Sequence, residues 1–75
     1  MSMRPNAAGY DFARRLRRVV ALTGLSQADF ADLCGLSRQT VNTYLSGRAE
    51  PRWSTLRRIM RATGCTARDL LGGAE

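Results

Sequence analysis

Four polar side chains near the middle of the chain have the chemistry needed to read nucleic-acid bases. They are Arg38, Gln39, Asn42 and Thr43. Arginine can bond guanine O6 and N7, glutamine and asparagine can bond adenine N6 and N7, and the threonine methyl group can contact thymine. A helix surface without such a role more often carries Glu and Lys, which are strong helix formers. We therefore predict a base-reading surface, with an ordinary solvated surface as the alternative.

Helical spacing places these four residues opposite an apolar stripe. Val41, Tyr44 and Leu45 are three and four positions apart, so they share one face of a helix and are expected in the core. Ser37 is a suitable N-cap for this helix, which we expect to run to about Ser46. The polar residues then project on the opposite side, away from the core.

Four further segments show apolar residues at helical spacing between capping signals. They cover residues 10–23, 27–34, 53–63 and 67–71. Ser26 and Thr66 are the N-caps of the second and fifth helices, and Asp69 is placed to complete a capping box with Thr66. We predict an all-α domain over residues 10–71, with a flexible N-terminal arm at 1–9 and a frayed tail at 72–75. The second and third helices would form a helix-turn-helix.

Composition narrows the class of partner. A chain of 75 residues forms one domain at most, and such short chains bury only about 60% of their unfolded surface, so dimerisation is a common supplement. Twelve basic residues, all arginine, face six acidic ones, for a net charge of +6. This excess indicates a polyanionic partner, either nucleic acid or an anionic membrane. No apolar run is long enough for a membrane span or a signal peptide, which predicts a cytoplasmic protein.

The residues needed for catalysis or metal binding are missing from the sequence. Cys34 and Cys65 are the only cysteines and there is no histidine, so a four-ligand zinc site cannot be filled. We interpret both cysteines as small core residues. No paired carboxylates and no glycine-rich phosphate loop occur. We expect that the protein is not an enzyme, that it binds no cofactor and that no small-molecule effector controls it.

Three segments together are typical of one family of regulators. Residues 25–31 (LSQADFA), 35–41 (GLSRQTV) and 46–48 (SGR), followed by Pro51, resemble the phage repressor and Cro family, also called the XRE family. The resemblance extends from about Phe12 to Leu71. It implies a five-helix, lambda-repressor-like helix-turn-helix fold and a sequence-specific repressor that binds a palindromic operator as a dimer.

The same resemblance implies a role for each matching position. Arg38, Gln39 and Thr43 would enter the major groove, with Asn42 beside them. Gln27 would bond a phosphate where the second helix begins, aided by the free N–H groups there. Further positions would lie near phosphates and fix the register of binding: Ser37, Thr40, Ser46, Arg48 and Arg52. Simple solvation remains the alternative for Arg48 and Arg52.

Two departures from the family pattern carry predictions. Family members often have an Arg and a Glu, in a partly buried ion pair, where this chain has Val20 and Leu45. Because both positions are apolar here, we predict that the two side chains touch. The second departure is the arginine-rich segment 14–18, which could add phosphate contacts; solvation is the favoured interpretation for Arg14 and Arg18.

Other functions remain open on sequence alone. Family members also act as antitoxins that bind a toxin and regulate their own operon, and activation is not distinguished from repression. A basic amphipathic membrane binder is a further alternative, although the apolar stripe of the first helix is better used in the core. For a dimer contact, the candidates are Leu70, Leu71 and the exposed part of Trp53; Leu70 could instead close the monomer core.

Overall fold

The computed structural model describes residues 7–72, and their side chains from Gly9 onward. This part of the chain forms five helices and no strand, which confirms the predicted all-α fold. In chain order they are α1 (Ala7–Thr23), α2 (Gln27–Cys34), α3 (Arg38–Leu45), α4 (Trp53–Thr63) and α5 (Ala67–Leu71). None of these helices combines the length and hydrophobicity needed to cross a bilayer.

Local capping fixes where the short helices begin. The hydroxyl oxygens of Ser26 and Ser37 accept from backbone N–H groups three residues on, at 3.1 and 3.0 Å. Thr66 accepts from the Asp69 N–H at 3.1 Å, while the Asp69 carboxylate accepts from the Thr66 N–H at 2.9 Å. The predicted capping box at α5 is therefore present, with Asp in the place where Glu or Gln is more usual.

A tight turn connects α2 to α3. Gly35 has a φ of 71°, in the left-handed region that favours glycine. Its N–H bonds the Asp32 carbonyl at 3.2 Å, and the Leu36 N–H bonds the Ala31 carbonyl at 2.9 Å. Arg58 of α4 donates to the Gly35 carbonyl at 2.9 Å. The turn is thus attached to the rest of the domain, and the angle between the two helices is fixed from outside as well as within.

The core draws on all five helices. Its fully buried large side chains are Phe12, Leu16, Phe30, Val41, Ile59 and Leu70. Cys34 is buried and Cys65 is half-buried, both are free thiols, and burial raises the pKa of the Cys34 thiol to about 11. Cys34 is therefore a core residue, as predicted, whereas Cys65 is only partly buried and packs against the core.

The structure decides the environments of two candidate dimer-contact residues. Leu70 has no exposed surface, so it closes the monomer core and is not available to a dimer partner. Trp53, whose exposed part was another candidate, has 61% of its surface exposed. It is the first residue of α4, where Thr55, Leu56 and Ile59 face the core instead.

The first helix begins earlier than its apolar pattern. Residues 7–9 belong to α1, although the predicted arm included them; residues 1–6 lie outside the described part of the chain. Gly9 is buried, and a Cβ atom there would lie 2.8 Å from the Ala49 carbonyl oxygen and 3.0 Å from that of Gly47. The start of α1 therefore packs against the loop after α3, a contact between distant residues that periodicity does not show.

Replacing Gly9 tests this close approach. A Gly→Ala change inside a helix ordinarily stabilises by about 0.5–1 kcal/mol. Here the added methyl group would meet backbone oxygens, so we expect Gly9→Ala to destabilise by about 1–3 kcal/mol, measured by urea denaturation. Ala21→Gly, at an exposed position of the same helix, should show the ordinary glycine penalty of about 1 kcal/mol. A more stable Gly9→Ala protein would contradict the packing.

Candidate nucleic-acid interface

The four predicted base-reading residues share the outer face of α3. Arg38, Gln39 and Asn42 are exposed and Thr43 is half-buried. On the other side of the helix, the apolar stripe is buried: Val41, Tyr44 and Leu45. The structure thus brings the four polar side chains together on the surface, in the arrangement that their spacing predicted.

Packing with α1 and α2 holds α3 in this orientation. The Tyr44 ring meets the Phe12 ring edge to face, with centroids 5.6 Å apart. At the C-terminal end of α3, Arg17 of α1 donates from Nη2 to the Leu45 carbonyl oxygen at 3.0 Å. One face of α3 is therefore committed to the domain, and the other remains free to meet a partner.

Internal hydrogen bonds limit what the hydroxyl groups of this surface can do. Thr43 donates to the Gln39 carbonyl at 2.9 Å, and Ser46 donates to the Thr43 carbonyl at 2.9 Å. Ser37 donates to the Thr40 hydroxyl at 2.8 Å. Only Thr40 keeps its hydroxyl proton for an outside acceptor. Thr43 can still offer its methyl group, whereas Ser37 and Ser46 could donate to a phosphate only by giving up these bonds.

A surface depression of about 410 Å³ lies beside α3. We call it the α1–α3 depression; its lining residues are Arg17, Val20, Ala21, Gln27, Asn42, Leu45 and Ser46. It brings two predicted phosphate-binding residues, Gln27 and Ser46, next to Asn42, a predicted base-reading residue. Arg48 and Arg52 do not line it; both are exposed in the segment between α3 and α4.

Val20 and Leu45 lie in the same part of the molecule. Both line the α1–α3 depression, and Val20 packs against the core cluster that includes Leu45. This neighbourhood agrees with the expectation that hydrocarbon stands here in place of an ion pair.

Sequence reasoning gave the segment 14–18 possible phosphate contacts without singling out Arg17. Its neighbours Arg14 and Arg15 bond Asp11 at 2.8 and 3.5 Å, and the Arg14 hydrogen bond holds the pKa of the Asp11 carboxyl below its usual value. Arg17 instead reaches a carbonyl 28 positions away. A signal was present in its spacing, because a residue three positions before Val20 lies on the same side of a helix.

Charge is positive along this surface. Within residues 38–52 there are three arginines and a single acid, Glu50. A larger cavity of about 650 Å³ lies on the other flank of α1 and includes Arg15, Arg18 and Arg68 in its lining, but none of the predicted base-reading or phosphate-binding residues. Positive charge is therefore present on both flanks, and only one flank combines it with the predicted reading helix.

Comparisons with known proteins agree with this geometry. A family model described as a helix-turn-helix domain matches residues 11–71. The chain is 36% identical over 64 residues to YonR of Bacillus subtilis (strain 168), which is named as an SPbeta prophage-derived uncharacterized HTH-type transcriptional regulator. The match covers 85% of this chain and 59% of that relative, so the chain spans little more than half of the relative's length. No solved structure matches the chain with significance.

A double-mutant cycle tests the Val20–Leu45 contact. We expect Val20→Ala and Leu45→Val each to destabilise by about 1 kcal/mol, because each removes buried hydrocarbon. Combined, they should cost less than their sum by at least about 0.5 kcal/mol, since contacting residues are not additive. Val20→Ala combined with Ile59→Val in α4 is the control and should be additive. Additivity of the Val20 and Leu45 changes would exclude the contact.

Proposed function

The chain belongs to the helix-turn-helix domain family, and on that premise we propose that it binds double-stranded DNA sequence-specifically and represses transcription, as a homodimer on a palindromic operator. One observation carries the proposal: α3 buries its apolar stripe and presents Arg38, Gln39 and Asn42 to solvent. An α-helix fits the major groove of B-DNA, where each base pair offers a distinct pattern of donors and acceptors.

Base reading follows from the side chains that α3 leaves available. Arg38, Gln39 and Asn42 make no side-chain hydrogen bond to another described residue. The Arg38 guanidinium can therefore bond guanine O6 and N7 together, and either amide can pair with adenine. Thr43, whose hydroxyl proton is bonded to Gln39, would contribute its methyl group to a thymine contact.

Phosphate contacts would fix how the domain sits on the duplex. Gln27 is the first residue of α2, and Ser26 caps only the Asp29 N–H. The N–H groups of Gln27 and Ala28 are left without an intrahelical partner, so they can bond a phosphate with the Gln27 amide. Thr40, Arg48 and Arg52 would add contacts; so would Ser37 and Ser46 after their hydroxyl groups reorient. Contacts of this kind set register rather than sequence preference.

Regulation by occupancy needs no further chemistry. The Bacillus relative is named as a transcriptional regulator of prophage origin, which supports the same role for this chain. Bound at an operator, the domain would exclude polymerase from the overlapping promoter. Such a function places the protein in the cytoplasm with the DNA.

A dimer would give the domain enough contact with DNA for specificity. A single small module covers little duplex, and paired reading helices reach half-sites about 34 Å apart. Leu70 is buried and cannot contribute, whereas Trp53 and Leu71 are 61% and 45% exposed. These two side chains are the apolar surface that we assign to the dimer contact.

Replacing the reading arginine tests the base-reading assignment. The preferred site is first selected from a random duplex pool, where a palindromic consensus is expected. Arg38→Ala should then weaken binding to that site by about 5- to 150-fold and relax the preference at one base position. Gln27→Ala is the matched control, because loss of a phosphate contact should weaken selected and random duplexes alike. Equal losses on both duplexes for Arg38→Ala would refute base reading by this residue.

Solution assembly tests the dimer. We expect two protomers on each selected duplex in sedimentation experiments, and Trp53→Ser should reduce the cooperativity of their binding because it removes an exposed apolar contact. Leu22→Ser is the control, since Leu22 is 81% exposed and lies on α1, outside the assigned contact. Unchanged cooperativity in a protein carrying both Trp53→Ser and Leu71→Ser would exclude this surface.

A further inference from the structure

We propose that Arg17 binds a DNA phosphate at the α1–α3 depression while holding the C-terminal end of α3 in place. The inference rests on the proposed DNA-binding function and deepens it, because it adds a residue with two simultaneous partners. One partner is the Leu45 carbonyl oxygen, 3.0 Å from Nη2. The other is a phosphate of the duplex bound beside Gln27.

The carbonyl groups at the end of α3 show why the first contact is needed. Carbonyls in the last turn of a helix lack intrahelical partners. Here the Asn42 carbonyl accepts from the Ser46 N–H, that of Thr43 from the Arg48 N–H, and that of Tyr44 from the Gly47 N–H. For the Leu45 carbonyl, the partner is the Arg17 guanidinium. A side chain from α1 thus completes the last turn of the proposed reading helix.

The second contact follows from the position of the guanidinium. Arg17 is exposed and shares the α1–α3 depression with Gln27, Asn42 and Ser46. A guanidinium carries several N–H donors in a planar fork, and only one hydrogen bond of Arg17 is used within the described residues. The remaining donors are available to a phosphate oxygen, and arginine suits such planar recognition.

Helix dipoles favour a positive charge at the same place. The depression is bordered by the first residue of α2 and the last residue of α3. An N-terminus attracts an anion, whereas a C-terminus carries partial negative charge and repels it. A phosphate entering the depression would therefore meet opposing fields. The positive charge of Arg17, placed on the Leu45 carbonyl, removes the unfavourable one.

Neighbouring arginines provide matched comparisons. Arg14 and Arg15 are occupied by Asp11. Arg18 is exposed, carries the same charge and lines the cavity on the other flank of α1. Substituting Arg17 or Arg18 changes the net charge equally, so a difference between the variants reports position rather than charge count.

Salt dependence of binding tests the phosphate contact. Each neutralised phosphate contributes about 0.9 to the slope of log affinity against log salt concentration. We expect Arg17→Met and Arg17→Gln to reduce the magnitude of the slope on the selected duplex by about 0.9. Arg17→Lys should keep most of the slope, and Arg18→Met should leave it nearly unchanged. An unaltered slope in Arg17→Met and Arg17→Gln, or an equal loss in Arg18→Met, would overturn the phosphate role.

Amide hydrogen exchange of the free protein tests the positioning role without DNA. The N–H groups of Ser46 and Gly47 bond the last turn of α3, so they should exchange several-fold faster in Arg17→Met and not in Arg18→Met. Arg17→Lys keeps an N–H donor at the end of a long side chain and should retain most of the protection. Unchanged exchange in Arg17→Met would overturn the positioning role.

The two proposals fail in different ways. If the unaltered protein ignores every duplex at low salt, the proposed DNA-binding function is lost, and the phosphate half of this inference with it. The exchange comparison still decides whether Arg17 holds α3. The other outcome is that the unaltered protein binds DNA, but the Arg17 variants have the same salt slope and amide exchange as Arg18→Met. The DNA-binding function then survives and this inference alone is wrong.

Discussion

The burial of one apolar stripe on α3 determines what the rest of the surface can do. An isolated helix of eight residues is marginal in water, so its stability must come from packing. Val41, Tyr44 and Leu45 supply that packing, and burying each such side chain is worth about 1.5–3 kcal/mol. Turning α3 about its axis would expose this stripe and bury amide and guanidinium groups without partners. The outward direction of Arg38 and Gln39 is therefore a consequence of the core.

Helix boundaries were predictable wherever a local interaction sets them. Ser26, Ser37 and Thr66 each bond a backbone N–H three residues on, so the residue type and its place before an apolar pattern were sufficient. The start of α1 was not predictable in this way, because Gly9 is set against the loop carbonyl of Ala49, forty positions along the chain.

In the candidate site, too, features set by local sequence were predictable, whereas contacts between side chains and distant groups were not. Spacing alone placed the reading residues on one face, because the face of a helix is a property of its own sequence. Residue type did not reveal that the protons of Ser37, Thr43 and Ser46 are used internally. Arg17 was not singled out for a further reason: its spacing showed its side of α1, but its carbonyl partner belongs to another helix.

A basic composition predicts an anionic partner without locating where it binds. Of the four arginines in residues 14–18, Arg14 and Arg15 bond Asp11, Arg15 and Arg18 line the opposite flank, and Arg17 alone borders the α1–α3 depression. Exposed charges act over about a Debye length, so all four arginines can attract the protein to DNA. Fixing the register of the domain on the duplex requires, in addition to attraction, a donor whose position is set before the DNA binds. The bond to the Leu45 carbonyl gives Arg17 that fixed position, which distinguishes the proposed phosphate contact of Arg17 from charge that would only attract the duplex.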